Sequence, residues 1–223
     1  MSLLTKLATF AATLALASTA YSANVTLTFI GTATTNSYGY TNGQNVSFSF
    51  VLNDTDMTVA SLDPNFIEFM DESLSTNTDI WSSVSGTGLT GTWTRPSTSN
   101  EDPYSRMTYY SSGRLRVMAA ADFSNIGLSA GGTTLSYINF DVELSGFSPT
   151  DFASTDNPSE YLSDYLGTYS VDNGYSAAFV SGNNIFDFSQ VVISAVPEPS
   201  ESAVAAGLGV FALVALRRLR KRA

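Results

Sequence analysis

The stretch TTLSYINFDVEL, residues 133–144, alternates apolar and polar side chains along most of its length. Alternation of this kind separates the side chains onto the two faces of a β-strand, and it is typical of a strand with one buried face. The side chains predicted to face inward are Ile138, Phe140, Val142 and Leu144. The side chains predicted to face outward are Tyr137, Asn139, Asp141 and Glu143. As the longest alternating stretch in the chain, it predicts a protein built from half-buried strands.

Shorter stretches of the same kind recur from residue 25 to residue 193, separated by segments rich in Gly, Ser, Thr and Asn. The predicted strands are 25–29, 46–52, 66–70, 80–84, 89–94, 107–110, 114–119, 175–180 and 185–193. A hairpin turn at 111–113 is predicted to leave Arg114 and Arg116 on one face of the strand that follows it. Many short strands with regular turn signals predict an all-β protein, an antiparallel β-sandwich of jelly-roll type.

One short helix is predicted within this β pattern. Asn157 is a suitable cap, Pro158 suits the first helical position, and Glu160 completes a pattern like a capping box. Gly167 is predicted to end the helix, which would therefore run over 158–166.

The N-terminal residues 1–23 have the composition of a secretory signal peptide. Lys6 supplies the positive charge, 7–17 the apolar segment, and small residues offer cleavage after Ala20, Ser22 or Ala23. The sequence thus predicts an exported domain that begins at residue 24.

The C-terminal residues 196–223, VPEPSESAVAAGLGVFALVALRRLRKRA, have three parts in a fixed order. Pro197, Glu198 and Pro199 form an extended motif, 203–216 is uncharged and apolar, and the end carries five basic residues. The apolar run predicts a short transmembrane helix, and the positive-inside rule places the basic end in the cytoplasm.

This tail resembles the PEP-CTERM sorting signal of Gram-negative and related bacteria. The resemblance covers only 196–223 and maps the motif of that family onto Pro197, Glu198 and Pro199. It implies recognition by exosortase, a membrane-embedded cysteine peptidase that cuts near the motif. It also implies release or re-anchoring outside the inner membrane, in the cell envelope, at the cell surface or in an extracellular matrix. Proteins with this signal are associated with exopolysaccharide-producing bacteria.

The predicted domain between the two ends, 24–195, is strongly acidic. Two of the 20 acidic residues lie in the tail and six of the 10 basic residues lie in the two ends, so the domain has 18 acidic and four basic residues and a net charge of −14. Such a domain repels nucleic acid, which is therefore excluded as a partner.

The chain contains no cysteine and no histidine, and the domain contains no lysine. Zinc sites built on Cys or His, cysteine nucleophiles, histidine general bases and lysine Schiff bases are therefore excluded. The sequence predicts no enzyme, no catalytic residue, no cofactor and no metal ligand.

Two patterns resemble catalytic sites. The G-x-S-x-G pattern at Gly127–Gly131 lacks the histidine that a serine nucleophile needs, so it is interpreted as a glycine-rich turn. Asp141 and Glu143 share a strand face and form a geometric candidate for a glycosidase pair, but solvated carboxylates on the outer face of a strand are the favoured interpretation.

Two further groups of residues are candidates for binding. Asp54/Asp56, Asp71/Glu72 and Asp151/Asp156 lie in oxygen-rich turns that suit calcium, although ordinary acidic turns are favoured. Aromatic residues that could stack on sugar rings are Trp81, Trp93, Tyr104, Tyr109 and Tyr110. For the two tryptophans, core packing is the favoured interpretation.

The leading prediction is a non-enzymatic protein, sorted by exosortase to the cell envelope or matrix, with a structural or adhesive role. The first alternative is a carbohydrate-binding β-sandwich that holds exopolysaccharide, with or without calcium. The second alternative is a secreted hydrolase that uses Asp141 and Glu143.

Overall fold

A computed structural model describes residues 24–52, 59–63, 65–70, 80–94, 105–120, 125–149, 158–179 and 184–196. The predicted signal peptide 1–23, the motif Pro197–Pro199 and the apolar run 203–216 lie outside the described residues. Within the described part of the chain, no helix is long and apolar enough to cross a membrane.

Thirteen strands and one short helix form the described structure. The strands are β1 (Asn24–Ala33), β2 (Asn45–Leu52), β3 (Val59–Asp63), β4 (Phe66–Met70), β5 (Trp81–Gly86), β6 (Leu89–Gly91), β7 (Ser105–Tyr110), β8 (Arg114–Ala120), β9 (Leu128–Ala130), β10 (Thr133–Thr134), β11 (Tyr137–Leu144), β12 (Gly167–Ala178) and β13 (Phe186–Val196). The helix α1 is Pro158–Ser163.

Ten of these strands form one sheet in the order β3-β4-β7-β8-β11-β12-β13-β1-β2-β5, and β10-β9-β6 form a small second sheet. Neighbouring strands whose register is defined are antiparallel. Antiparallel pairing suits this chain because its connections are short and one face of most strands is polar.

The large sheet curls on itself. Two strands lie between β1 and β11, so a flat sheet would separate them by about 14 Å. The rings of Phe29 on β1 and Phe140 on β11 are nevertheless only 5.2 Å apart. Farther along the sheet, the Trp81 indole on β5 donates a hydrogen bond of 2.9 Å to the Met118 carbonyl on β8. The two halves of the sheet therefore enclose one core.

Aromatic rings fill the centre of that core. Phe140 packs edge-on or tilted against Phe29, Phe48, Phe50 and Phe188, with centroids 4.7–5.5 Å apart. Edge-to-face packing of this kind adds about 0.5–1.5 kcal/mol per pair to the effect of burial. All five phenylalanines are buried, and for Phe140 this confirms the predicted inward position.

The prediction of a mostly antiparallel β protein with one short helix is confirmed. The hairpin at 111–113 is also confirmed, since β7 and β8 pair across it. Arg114 and Arg116 are partly exposed, whereas Leu115 and Val117 are buried, so the predicted faces of β8 are correct.

The prediction of one continuous strand over 133–144 is wrong. The chain forms β10, leaves the strand at Leu135 and Ser136, and resumes as β11. Leu135 is buried and its amide donates to the Leu128 carbonyl, so this segment crosses from the small sheet to the large one.

The predicted helix over 158–166 is three residues too long. It ends at Ser163, where the Tyr165 amide closes a turn onto the Leu162 carbonyl. Gly167 does not simply end the helix but begins β12, where it pairs with Ile193 of β13. The chain therefore leaves the helix after Ser163 and turns into β12, and Leu166 in this connection is 46% exposed.

Gly31 allows β1 to approach β13 closely. A Cβ atom at this position would overlap the Asp187 carbonyl oxygen and lie 2.6 Å from the Phe188 Cα. Both obstacles are backbone atoms, so no rotation of a side chain relieves the overlap.

Gly31→Ala is therefore expected to lower the free energy of unfolding by about 1–3 kcal/mol or more, because the two strands must separate. Urea denaturation monitored by tryptophan fluorescence measures the loss. Gly174→Ala is the matched control, since no atom lies within 4 Å of its Cβ position. An equal effect of both substitutions would contradict the explanation from close packing.

Candidate functional site

The densest group of interacting charged side chains in the described structure lies on the outer face of the large sheet. We call it the arginine patch. Its members are Glu68 on β4, Arg106 and Tyr110 on β7, Arg114 and Arg116 on β8, Asp141 and Glu143 on β11, and Tyr175 on β12. Three of the four arginines of the acidic domain therefore lie in one patch, and the fourth, Arg95, lies outside the described residues.

Strand register brings these residues together. Glu68 lies opposite Thr108, Thr108 opposite Arg116, and Arg116 opposite Asp141. Directly opposite residues in antiparallel strands have Cβ atoms about 4.5–5.5 Å apart, which is within reach of an ion pair. The result is a row across four strands with an acidic residue at each end and Arg116 directly opposite Asp141.

Asp141 lies at the centre of the arginine patch and is only 1% exposed. Arg114 donates from Nε to Oδ1 at 2.7 Å and from Nη2 to Oδ2 at 2.6 Å. Arg116 donates from Nε to Oδ2 at 2.8 Å, and its Nη2 lies 2.7 Å from the same oxygen. Asp141 thus joins two guanidinium groups, and the hydrogen bonds of Arg114 raise the pKa of that guanidinium further above its usual range.

The prediction that Asp141 is a solvated carboxylate is therefore wrong. Its side chain does lie on the face opposite Phe140, but the two arginines from β8 cover it. Both of its oxygen atoms accept charge-assisted hydrogen bonds, which orient the arginines. Glu143, by contrast, remains partly exposed, as predicted.

Tyr175 is exposed but has a fixed orientation. Its hydroxyl donates a hydrogen bond of 2.8 Å to Glu143 Oε2, which raises the pKa of the phenol. The Arg114 guanidinium lies 4.3 Å from the centre of the Tyr175 ring and 5.1 Å from that of Tyr110. Both contacts are cation–π interactions. The ring is 45% exposed, so it presents an oriented aromatic surface to solvent.

A β-bulge places Tyr175 in this position. Asp141 pairs with Ser176 and Val142 pairs with Gly174, so Tyr175 is the extra residue of β12. A bulge redirects the side chain of its extra residue and leaves that residue outside the ladder. Gly174, directly before Tyr175, is a weak sequence signal for a bulge, but sequence reasoning did not identify Tyr175.

A second ion pair completes the patch toward β4. Arg106 Nε lies 3.5 Å from Glu68 Oε2, and the Thr108 hydroxyl lies 3.1 Å from the same oxygen. Thr108 is 1% exposed, so its hydroxyl is held in place by this contact.

A shallow groove lies on the other half of the sheet, with a volume of about 510 Å³. Backbone and side chains of β1, β2 and β13 line most of it, and its polar side chains are Thr32, Asn45, Ser47, Thr87, Asp187 and Ser189.

The interpretation of Gly127–Gly131 as a turn is correct only at its ends. Gly127 and Gly131 have positive φ angles of 78° and 54°, whereas Leu128–Ala130 forms strand β9. Ser129 is thus a strand residue paired with Thr90 and Thr134, not a residue at a sharp strand-to-helix turn.

The predicted aromatic candidates for sugar stacking divide into three groups. Trp81 and Trp93 are 1% and 8% exposed, which confirms core packing, and Tyr109 is fully buried. Tyr110 is partly exposed and belongs to the arginine patch. Tyr104 lies outside the described residues.

The predicted calcium turns all lie outside the described residues. They are Asp54/Asp56, Asp71/Glu72 and Asp151/Asp156. Among the residues that the structure describes, no three acidic side chains come together as a metal site.

Comparison with known proteins gives no relative. No protein-family model, no curated protein and no solved structure matches this chain.

Asp141→Asn is expected to lower the free energy of unfolding by about 2–4 kcal/mol. Removing the buried carboxylate leaves the charges of the two arginines uncompensated, which is destabilising. Because solvent reaches both arginines, the loss of stability is smaller than for a fully buried ion pair. Glu143→Gln is the matched control on the same strand face and is expected to change stability by less than about 0.5 kcal/mol. Urea denaturation of both variants measures the difference. An Asp141→Asn protein with an unchanged free energy of unfolding would contradict the central role of this carboxylate.

Proposed function

We propose that this chain is an exported, non-catalytic protein of the cell envelope, cell surface or extracellular matrix. Its signal peptide, 1–23, directs the domain 24–195 through the inner membrane, and its tail, 196–223, is a PEP-CTERM sorting signal. The observation that carries the proposal is the presence of both terminal signals in one chain. Either signal alone would be weaker support.

In this proposal exosortase recognises Pro197, Glu198 and Pro199, and these residues act in recognition, not in catalysis. The apolar run 203–216 holds the precursor in the membrane as a transmembrane helix until it is processed. We further propose that the two halves of the curled sheet act as the layers of a jelly-roll-like sandwich. A structural or adhesive role outside the cell requires a stable domain, and a large aromatic core can supply that stability without disulfides.

Glu198→Ala is expected to prevent processing and to retain the full-length protein in the membrane fraction, because the sorting motif loses its only charge. Intact-mass measurement of membrane and medium fractions from the host checks this outcome. Glu201→Ala is the matched control, since it removes an acidic residue just outside the motif. Unchanged mass and location of the Glu198→Ala protein would overturn the proposal.

A second candidate function is carbohydrate binding, and the arginine patch supports it. Tyr175 offers an exposed ring whose orientation is fixed by Glu143 and Arg114. Sugar rings stack on such surfaces, and an aromatic group that is already oriented loses little conformational entropy on binding. The proposed partner is exopolysaccharide, which a protein at the cell surface or in an extracellular matrix would encounter. Nucleic acid is not a proposed partner, because the domain carries a net charge of −14.

Glycan-array binding by the full-length chain tests this second function. Tyr175→Ala is expected to remove most of the binding without changing the fold, because the ring is exposed. Leu166→Ala is the matched control, since Leu166 is equally exposed at 46% and lies outside the arginine patch. Unchanged glycan binding by the Tyr175→Ala protein would exclude this ring as the surface on which sugars stack.

A further inference from the structure

The arginine patch has unused hydrogen-bonding capacity directed away from Asp141. Arg114 and Arg116 each contact Asp141 through Nε and Nη2. A guanidinium group has five N–H donors in a planar fork, so each arginine retains the donors of Nη1. Among the described residues, neither Nη1 atom has a hydrogen-bond partner, and the two side chains are 28% and 27% exposed.

The exposed charge of the patch differs from its formal charge. Three arginines and three carboxylates balance formally. Asp141, however, is 1% exposed and both of its oxygens are engaged, so a ligand at the surface does not meet this negative charge directly. Glu143 is engaged by the Tyr175 hydroxyl. The groups that a ligand can reach at Arg114 and Arg116 are therefore two cationic guanidinium edges, within a patch whose formal charges balance.

We propose that the arginine patch binds an acidic polysaccharide, with a sugar ring on Tyr175 and a sugar carboxylate on the free edges of Arg114 and Arg116. This inference rests on the carbohydrate-binding function proposed above and names the class of sugar. Planar guanidinium edges match a carboxylate in geometry and charge. Asp141 holds both guanidinium groups in place before the ligand arrives, which reduces the entropic cost of binding.

A uronic acid polymer meets both requirements at once. Its pyranose rings supply an apolar face for Tyr175, and its carboxylates recur along the chain at every sugar. A neutral polymer supplies only the first requirement, and a small inorganic anion supplies only the second. The net charge of −14 opposes association at long range, so selectivity must come from these short-range contacts.

The test compares two polymers with the same sugar backbone, polygalacturonate and its methyl ester, in which a methyl group neutralises each carboxylate. Their binding to the full-length chain in mild detergent is measured by titration calorimetry, with EDTA present to remove calcium bridges. Two charge-assisted hydrogen bonds predict a preference for polygalacturonate of about tenfold or more. Arg116→Gln is expected to reduce that preference to about threefold or less, while Tyr175→Ala is expected to weaken binding of both polymers.

Leu166→Ala again serves as the matched control and is expected to bind as the unaltered chain does. Equal binding of the two polymers would overturn the inference and leave carbohydrate binding in place. Binding of neither polymer would also overturn the inference, and the glycan array then decides separately whether the chain binds any carbohydrate. An undiminished preference in a folded Arg116→Gln protein would show that the acidic sugar binds elsewhere. If Arg116→Gln fails to fold, the comparison of the two polymers on the unaltered chain still decides the question.

Discussion

The packing of Phe140 against rings from β1, β2 and β13 is the constraint on which the rest of the structure depends. These rings come from strands two to four positions away from β11 in the sheet, yet their centroids lie 4.7–5.5 Å from that of Phe140. A flat sheet would leave them exposed to water, so burial of their area requires the sheet to curl. Gly31 permits the same curl at the β1–β13 contact, because any larger residue would hold these strands apart.

The curl also determines what the outer face can do. Once Phe140 and Val142 point into the core, Asp141 and Glu143 must point away from it, because side chains alternate along a strand. The register of β8 then places Arg116 opposite Asp141 and Arg114 opposite Glu143. β11 therefore contributes Phe140 to the aromatic core on its inner face and Asp141 to the arginine patch on its outer face.

In the arginine patch, the carboxylate of Asp141 holds two arginine side chains in place. A pair of carboxylates two residues apart on a strand resembles hydrolase chemistry in sequence, but Asp141 is enclosed by guanidinium groups and Glu143 orients a tyrosine. Burial and hydrogen bonding give the two carboxylates different roles, although the sequence presents them as equivalent. Together they prepare a surface of one aromatic ring and two cationic edges, which suits recognition.

The sequence alone determined the β class, the inward and outward faces of most strands, the hairpin between β7 and β8, and the burial of Trp81. Each of these follows from local periodicity or turn chemistry, which neighbouring residues carry. Only the tertiary structure decided the break at Leu135, the early end of α1, the burial of Asp141 and the exposure of Tyr175. Each of these depends on partners distant in the chain, such as β13 for Gly167 and the bulge opposite β11 for Tyr175. Register between strands is a property of the folded sheet, so no single stretch of sequence contains it.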